Sequence, residues 1–409
     1  MSTEQQQAPP VLAAQRHGFD LDEGMTALRE TGATCPVATP FGHTATVFTR
    51  YADVRALHGD PQTLRLDAVG VPPGLAAVGV TDEDMAQRRS GNLLGTDPPQ
   101  HTRLRRMLTG EFTVKRMRRL EPRVAEIVDE HLDALERVGP GADLVEHFAL
   151  PVPSMVICEL LGVPYADRAE FTERSARQLD STVPPAERMR LAEDGRAYMA
   201  SLVTRHRRDP GEDLLGMLIR EHATGDAGTE DLSDTELIGI GTLLLIAGHE
   251  TTSNMLSLGT LALLRHPDQL ARVRDDPAAV DPAVEELLRW LTVVHGGFPR
   301  AAVADTEIGG HPVRAGEVVV SSLAAANRDP ELVDDPDTLD TSRAPVPHVA
   351  FGHGVHHCLG APLARIEMRI AFPALLRRFP GLRLAVSDDE VDFRDRTLIY
   401  GLRSLPVAW

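Results

Sequence analysis

The sequence predicts a mainly α-helical protein with small peripheral β-sheets, and three observations lead there. Apolar residues recur at three- and four-residue spacing through most of the chain. Alternating, strand-like runs are few and short. The longest apolar segment, ELIGIGTLLLIAGHETTSNMLSLGTLALLRH, is interrupted midway by His249 and Glu250, which suits a helix buried in protein better than a membrane span of about 20 apolar residues.

Taken in chain order, the start MSTEQQQAPP is polar and carries neither a basic n-region nor an apolar h-region, so residues 1–20 read as a disordered tail. TATVFT is the first strand. KRMRRLEPRVAEIVDEHLDALERV and AERMRLAEDGRAYMASLVTRHRR follow as helices. Ser233 with Glu236 forms a capping-box pattern that opens the long apolar helix, and Pro267 stops it. At about 1.5 Å per residue it is roughly 45 Å long and crosses the interior. DPAVEELLRWL and LARIEMRIAFPALLRRF are further helices, while TEIGGHPVRAGEVVVSS turns at Gly309 and Gly310 as a hairpin. LRLAV and SLPVAW close the chain as a short strand pair.

No linker and no internal period divides the 409 residues, so residues 21–409 are read as one domain. The formal net charge of −18 argues against nucleic acid and anionic membrane as partners, leaving small molecules or a protein docked on a local patch. Cys35, Cys158 and Cys358 are the only cysteines, too few for a disulfide framework, which points to a reducing cytoplasm.

FGHGVHHCLG places Cys358 among His353, His356 and His357. Zinc is the first candidate, but structural zinc sites draw four ligands and no second Cys/His pair of suitable spacing exists. Gly352, Gly354 and Gly360 instead allow a tight loop whose N–H groups turn toward one sulfur at the start of the helix-forming LGAPLARIEM. Such a cradle suits a lone thiolate as axial ligand of haem iron. In AGHETT, Gly248 costs about 1 kcal/mol relative to alanine within a helix. Ala247 and Gly248 would let a flat group approach the backbone, and Glu250 with Thr251 supplies an acid and an alcohol for a proton relay.

These motifs resemble those of the cytochrome P-450 family, the haem-thiolate monooxygenases. FGHGVHHCLG fits the pattern Phe-Gly-x-Gly-x-His-x-Cys-x-Gly, and AGHETT fits Ala/Gly-Gly-x-Asp/Glu-Thr. HTRLRR, AGHETT, EELLR, ANRDP and the cysteine loop occur in family order, so the resemblance runs from about Tyr51 to Trp409. It implies that Cys358 ligates the iron of haem b and that Phe351 packs beneath the porphyrin. Thr251 would stabilise activated oxygen, with Glu250 linked to solvent protons. His249 fills the variable position and receives no role.

Glu286 and Arg289 of EELLR, worth only about 0.2–0.5 kcal/mol as an exposed pair, would by resemblance be a buried brace. Thr338 and Leu339 stand where the family often has arginine and phenylalanine, which leaves open whether another arginine completes the usual three-member network. The haem propionates need buried cations or strong donors, and the resemblance assigns His101, Arg105, Arg300 and His356. Leu243, Ile246, Val294 and Ile399 are pocket candidates by position, and residues 67–94 resemble a mobile lid that admits substrate.

The expectation is a cytoplasmic, monomeric monooxygenase that inserts one atom of O2 into a largely apolar small molecule, in secondary metabolism or xenobiotic oxidation. Electrons would come from a ferredoxin and its ferredoxin reductase, since the chain holds no flavin or dinucleotide fingerprint. Lys115, Arg116, Arg118 and Arg119, with Arg103 and Arg106 upstream, would form the docking patch. A peroxide-driven oxygenase of the same fold, which often lacks the acid–alcohol pair, and a haem gas sensor are the alternatives.

Overall fold

The computed structural model describes residues 16–39, 42–222, 231–394 and 397–409. It is organised around the central helix Asp234–Leu264, 31 residues that begin at the expected capping box. Ser233 Oγ accepts from Glu236 N at 3.2 Å, and the Glu236 carboxylate accepts from Ser233 N at 3.0 Å. These bonds satisfy backbone donors that a helix start leaves unpaired.

Burial on every side explains why this helix shows no polar face. Pro151–Leu161, Pro185–Arg208, Val280–Leu291 and Ala361–Arg378 pack around it. Glu121–Val138 lies behind the last of these. Small residues set the closest approaches. A Cβ on Gly259 would stand 2.5 Å from Phe372 Cζ, so glycine brings the central helix against Ala361–Arg378, the helix that follows the cysteine loop. No helix among the described residues is long and apolar enough to cross a membrane.

The strands form a peripheral five-stranded sheet in the order Cys35–Ala38, Thr44–Phe48, Val318–Ser321, Arg300–Ala302, Leu64–Arg65. Only Thr44–Phe48 and Val318–Ser321 are parallel, with Val47 opposite Val320. The sheet matters to the site because it fixes Arg300 at the start of its strand. Gly309 and Gly310 have φ of 55° and 83° and turn the hairpin Thr306–Ile308 to His311–Val313. Val318–Ser321, expected to belong to that hairpin, joins the larger sheet instead.

Three further expectations change. The tail is shorter than 1–20: residues 1–15 lie outside the described residues, but Arg16–His17 pairs with Asp20–Leu21, and Arg16 and Phe19 are buried. The guanidinium of Arg16 stacks over the Tyr400 ring at 5.2 Å, an anchor nearly four hundred residues away in sequence. The helix read from Lys115 onward is broken into Val114–Met117, a 3-10 turn at Arg118–Leu120 and Glu121–Val138, with Pro122 in the first turn of the last. Residues 67–94 carry more order than their composition suggests, namely the helices Pro73–Ala76 and Asp82–Arg89. Arg89 ties this segment down by donating to the carbonyls of Asp67 and Val69, at 3.0 and 2.7 Å.

Candidate active site

The cysteine loop is built by glycine and by backbone bonds. Gly352 and Gly354 adopt φ of 71° and 70°, the left-handed region that a side chain disfavours. Cys358 N donates to Phe351 O at 2.8 Å and His357 N to Gly354 O at 3.0 Å, which closes the loop into a cup. Burial raises the Cys358 thiol pKa, and the N–H groups of Gly360 and Ala361 and the cations Arg105 and Arg365 oppose that rise. The residue nevertheless keeps accessible surface. The two facts agree if the sulfur opens on a recess within the molecule rather than on bulk water. All four opposing groups favour the thiolate, the form that binds metal.

Beside the cup lies a cluster of buried donors. The rings of His101 and His356 meet at a tilt of 53° with centres 4.2 Å apart, and His356 Nε2 is 3.4 Å from Asp97 Oδ1. Arg105 donates to His357 O at 2.6 Å, and Arg300 Nη1 to Leu64 O at 3.0 Å. Both nitrogens of His101, Nδ1 of His356 and Nε of Arg300 have no hydrogen-bond partner. Burial, followed by the charge of His356 and of Arg105, holds the His101 pKa down to about 4, and burial lowers that of Arg300. Buried polar atoms without partners are costly, and an anionic group that accepted from Arg300 and from the ring N–H groups would offset that cost. The four residues assigned to the propionates are therefore brought together, and their chemistry fits two carboxylates. His58, at 2.9 Å from Ser321 Oγ, and Asp97, which accepts from the N–H groups of Leu66 and Asp67, were not singled out from sequence.

On the central helix, Thr242, Leu243, Leu244, Ile246, Ala247, Gly248 and Thr251 keep partial exposure, and Leu243, Leu244, Ala247, Gly248 and Thr251 are the ones that fall together. At 100° per residue these positions share one face, so the helix meets open space there. A Cβ on Gly248 would stand 2.6 Å from Ile157 Cδ1, so its smallness admits the helix Pro151–Leu161. Thr251 Oγ donates to Ala247 O at 2.8 Å, and Ser253 and Asn254 bond back to the carbonyls of His249 and Glu250. Glu250 is only 1% exposed, with Oε2 3.5 Å from Arg394 Nη1. His249, without a role in the sequence reading, is fully buried beside it.

Of the pocket candidates, Leu243, Val294 and Ile399 are half-buried apolar residues packed against the main core, as are Phe351 and Leu359 of the loop. Tyr400 N donates to Val293 O at 2.8 Å, which brings the segments of Ile399 and Val294 together. Ile246 is also half-buried.

Behind the loop, Glu286 and Arg289 pair at 2.7 Å through two parallel bonds, and both are buried. Arg343 completes the network, with Nε 3.3 Å from Glu286 Oε1. Thr338 takes part only through its carbonyl. Glu285, also missed from sequence, accepts from Arg365 at 2.7 and 2.9 Å, and the Arg365 guanidinium lies 4.6 Å from the centre of the Phe351 ring. The basic patch loses members: Arg103 pairs with Glu236 and Arg116 with Glu111, whereas Lys115, Arg118 and Arg119 are exposed. Among the described residues no group of three His, Cys, Asp or Glu is placed to hold a metal ion.

The family model for cytochrome P450 matches residues 186–397. Cytochrome P450 FAS1 of Rhodococcoides fascians is 46% identical over 400 residues, covering 97% of this chain and 98% of that protein. Pentalenic acid synthase of Streptomyces avermitilis is 46% identical over 395 residues, covering 96% and 95%. Among solved structures, the mycinamicin VIII C21 methyl hydroxylase MycCI of Micromonospora griseorubida, bound to mycinamicin VIII, superposes with a TM-score of 0.89. It is 36% identical and covers 98% of this chain and 100% of its own. By these matches the chain belongs to the cytochrome P450 family of haem-thiolate monooxygenases.

Proposed function

We propose that this monooxygenase inserts one atom of dioxygen into a largely apolar small molecule, by hydroxylation or epoxidation in secondary metabolism, using electrons from a ferredoxin and its reductase in the cytoplasm. The observation that carries the reading is one sulfur held by backbone N–H groups next to a cluster of buried donors that lack acceptors. Bound there, haem supplies the activation of dioxygen. Cys358 would hold the iron as thiolate, with Gly360, Ala361, Arg105 and Arg365 opposing the rise in its pKa that burial causes. His101, Arg105, Arg300 and His356 would hold the propionates. Glu250 carries a proton from the partly open Arg394 side toward Thr251, whose hydroxyl hands it on. Leu243, Ile246, Val294 and Ile399 exclude water and orient substrate. A relative named as a methyl hydroxylase and bound to mycinamicin VIII supports a substrate of that general kind.

The exposed Lys115, Arg118 and Arg119 offer an acidic ferredoxin a positive surface on an otherwise acidic protein. Three measurements test the proposal. Titrating the ferric protein with apolar natural products should displace the water ligand and shift the haem band for one chemical class. With that compound, ferredoxin and reductase should sustain consumption of reduced nicotinamide. Replacing Lys115, Arg118 and Arg119 by Gln should slow ferredoxin association about tenfold at low salt and little at high salt. Product formation that runs on peroxide and ignores ferredoxin would replace this reading with the peroxide-driven one.

A further inference from the structure

His249 Nδ1 lies 2.6 Å from the carbonyl oxygen of Leu245. A carbonyl only accepts, so Nδ1 carries the ring proton, and in the neutral ring Nε2 presents a lone pair. That atom stands 3.7 Å from Glu250 Oε1. Both atoms are buried and neither has a hydrogen-bond partner. A neutral imidazole facing an ionised carboxylate would set two acceptors against each other in a place where water cannot intervene. One proton on the line between them satisfies both.

The surroundings contain few other charges. Burial holds the His249 ring below its usual pKa, Glu250 pulls it up, and Arg394, on the segment before the chain end, pushes it down. From the helix Arg168–Leu179 the facing group is the uncharged Phe171 ring, edge-on with centres 5.3 Å apart. From Pro151–Leu161 the uncharged Ile157 packs against the neighbouring Gly248.

We propose that His249 and Glu250 hold one proton in common between Nε2 and Oε1, which makes His249 the positioning residue that keeps the acid of the relay loaded. When the Glu250 carboxyl turns toward Thr251, its O–H bond turns with it and Nε2 is left as a bare lone pair. The proton then passes to Thr251 Oγ as the Thr251 hydroxyl gives up its own, the carboxylate that remains faces Arg394, and a proton from bulk solvent, relayed by water on the Arg394 side, restores the carboxyl. No electrons move in these steps. The inference rests on Glu250 being the acid of the relay and adds the group that stores its proton.

The test uses the haem-loaded protein in its ferrous carbon-monoxide form, labelled with nitrogen-15 histidine. Nuclear magnetic resonance reads the His249 ring, and infrared spectra in light and heavy water read the carboxyl band that Glu250→Gln removes. A neutral Nδ1–H ring with a protonated carboxyl, or an imidazolium with a carboxylate, supports the shared proton. A neutral ring beside a carboxylate overturns it. His249→Leu should shift the carboxyl band and lower product formed per reduced nicotinamide about tenfold, with partial recovery in His249→Gln. If His249→Leu does not fold, the wild-type spectra decide. Unchanged coupling in Glu250→Gln would instead remove Glu250 as the acid, an outcome separate from where the proton sits.

Discussion

Arg289 and Arg300 are both arginines shut away from solvent, at 0% and 1% exposure, yet they are finished to different degrees. All five N–H donors of Arg289 are used: two meet Glu286, and the others meet the carbonyls of Asn327, Pro336 and Thr338. Arg300 donates to Leu64 O alone, and its Nε has no partner. A guanidinium with every donor satisfied is part of the scaffold, because nothing further can be gained there. One left short of acceptors in a buried site implies a guest that brings them. The same contrast separates the Glu286–Arg289–Arg343 network from the cluster of His101, His356 and Arg300.

The sharpest way to break this comparison is to remove Arg289. Arg289→Ala leaves the Glu286 carboxylate buried with only Arg343 and the Asp340 N–H for partners. Removing one member of a buried pair costs about 3–5 kcal/mol. Urea unfolding should show that loss whether haem is bound or not. A loss confined to the haem-loaded protein would place Arg289 with the guest-binding group instead.

A second test concerns acid. Burial alone would raise the Glu285 pKa, but hydrogen bonds from Arg365 and His348 prevail and hold it down from 4.5 to about 2. A depressed carboxylate contributes stability that is complete above pH 4.5 and disappears as pH falls toward 2. At roughly 1.4 kcal/mol per pH unit the contribution is at most about 3 kcal/mol. Glu285→Gln should therefore lower stability at neutral pH and flatten the acid loss between pH 4.5 and 2, as followed by unfolding midpoints. Because Arg365 also lies over Phe351, the variant should loosen the cysteine loop and broaden the haem spectrum in that range. An unchanged acid profile would show that this pair does not brace the loop.

What could be read from the sequence follows from distance along the chain. The Ser233–Glu236 cap, the Gly309–Gly310 turn and the cup before Cys358 depend on residues within about ten positions of each other, and local patterns carry them. The partner of Glu286 is 57 residues away at Arg343, that of Glu285 is 80 away at Arg365, and Asp97 meets His356 across 259. No spacing rule reaches so far. That Gly248 makes room for Ile157 was not legible for a related reason, since only packing decides which neighbour a glycine admits, and Ile157 comes from another helix. The orphaned Nε2 of His249 could not have been anticipated either, because its lone pair is defined by the Leu245 carbonyl that takes the ring proton.

The smallest expected effect is the one that most directly separates the two arginines. Arg300→Ala removes a buried cation with one hydrogen bond, to Leu64 O, while Asp97 keeps the N–H groups of Leu66 and Asp67 and the ring of His356. The haem-free protein should lose little stability, because the desolvation cost of the guanidinium disappears together with its bond. The haem-loaded protein should lose a charge-assisted contact, about 1.5–3 kcal/mol, seen as a roughly tenfold to hundredfold faster transfer of haem to an acceptor protein. If both forms lose stability equally, Arg300 is scaffold like Arg289, and an incomplete set of hydrogen bonds is no guide to where this fold receives its cofactor.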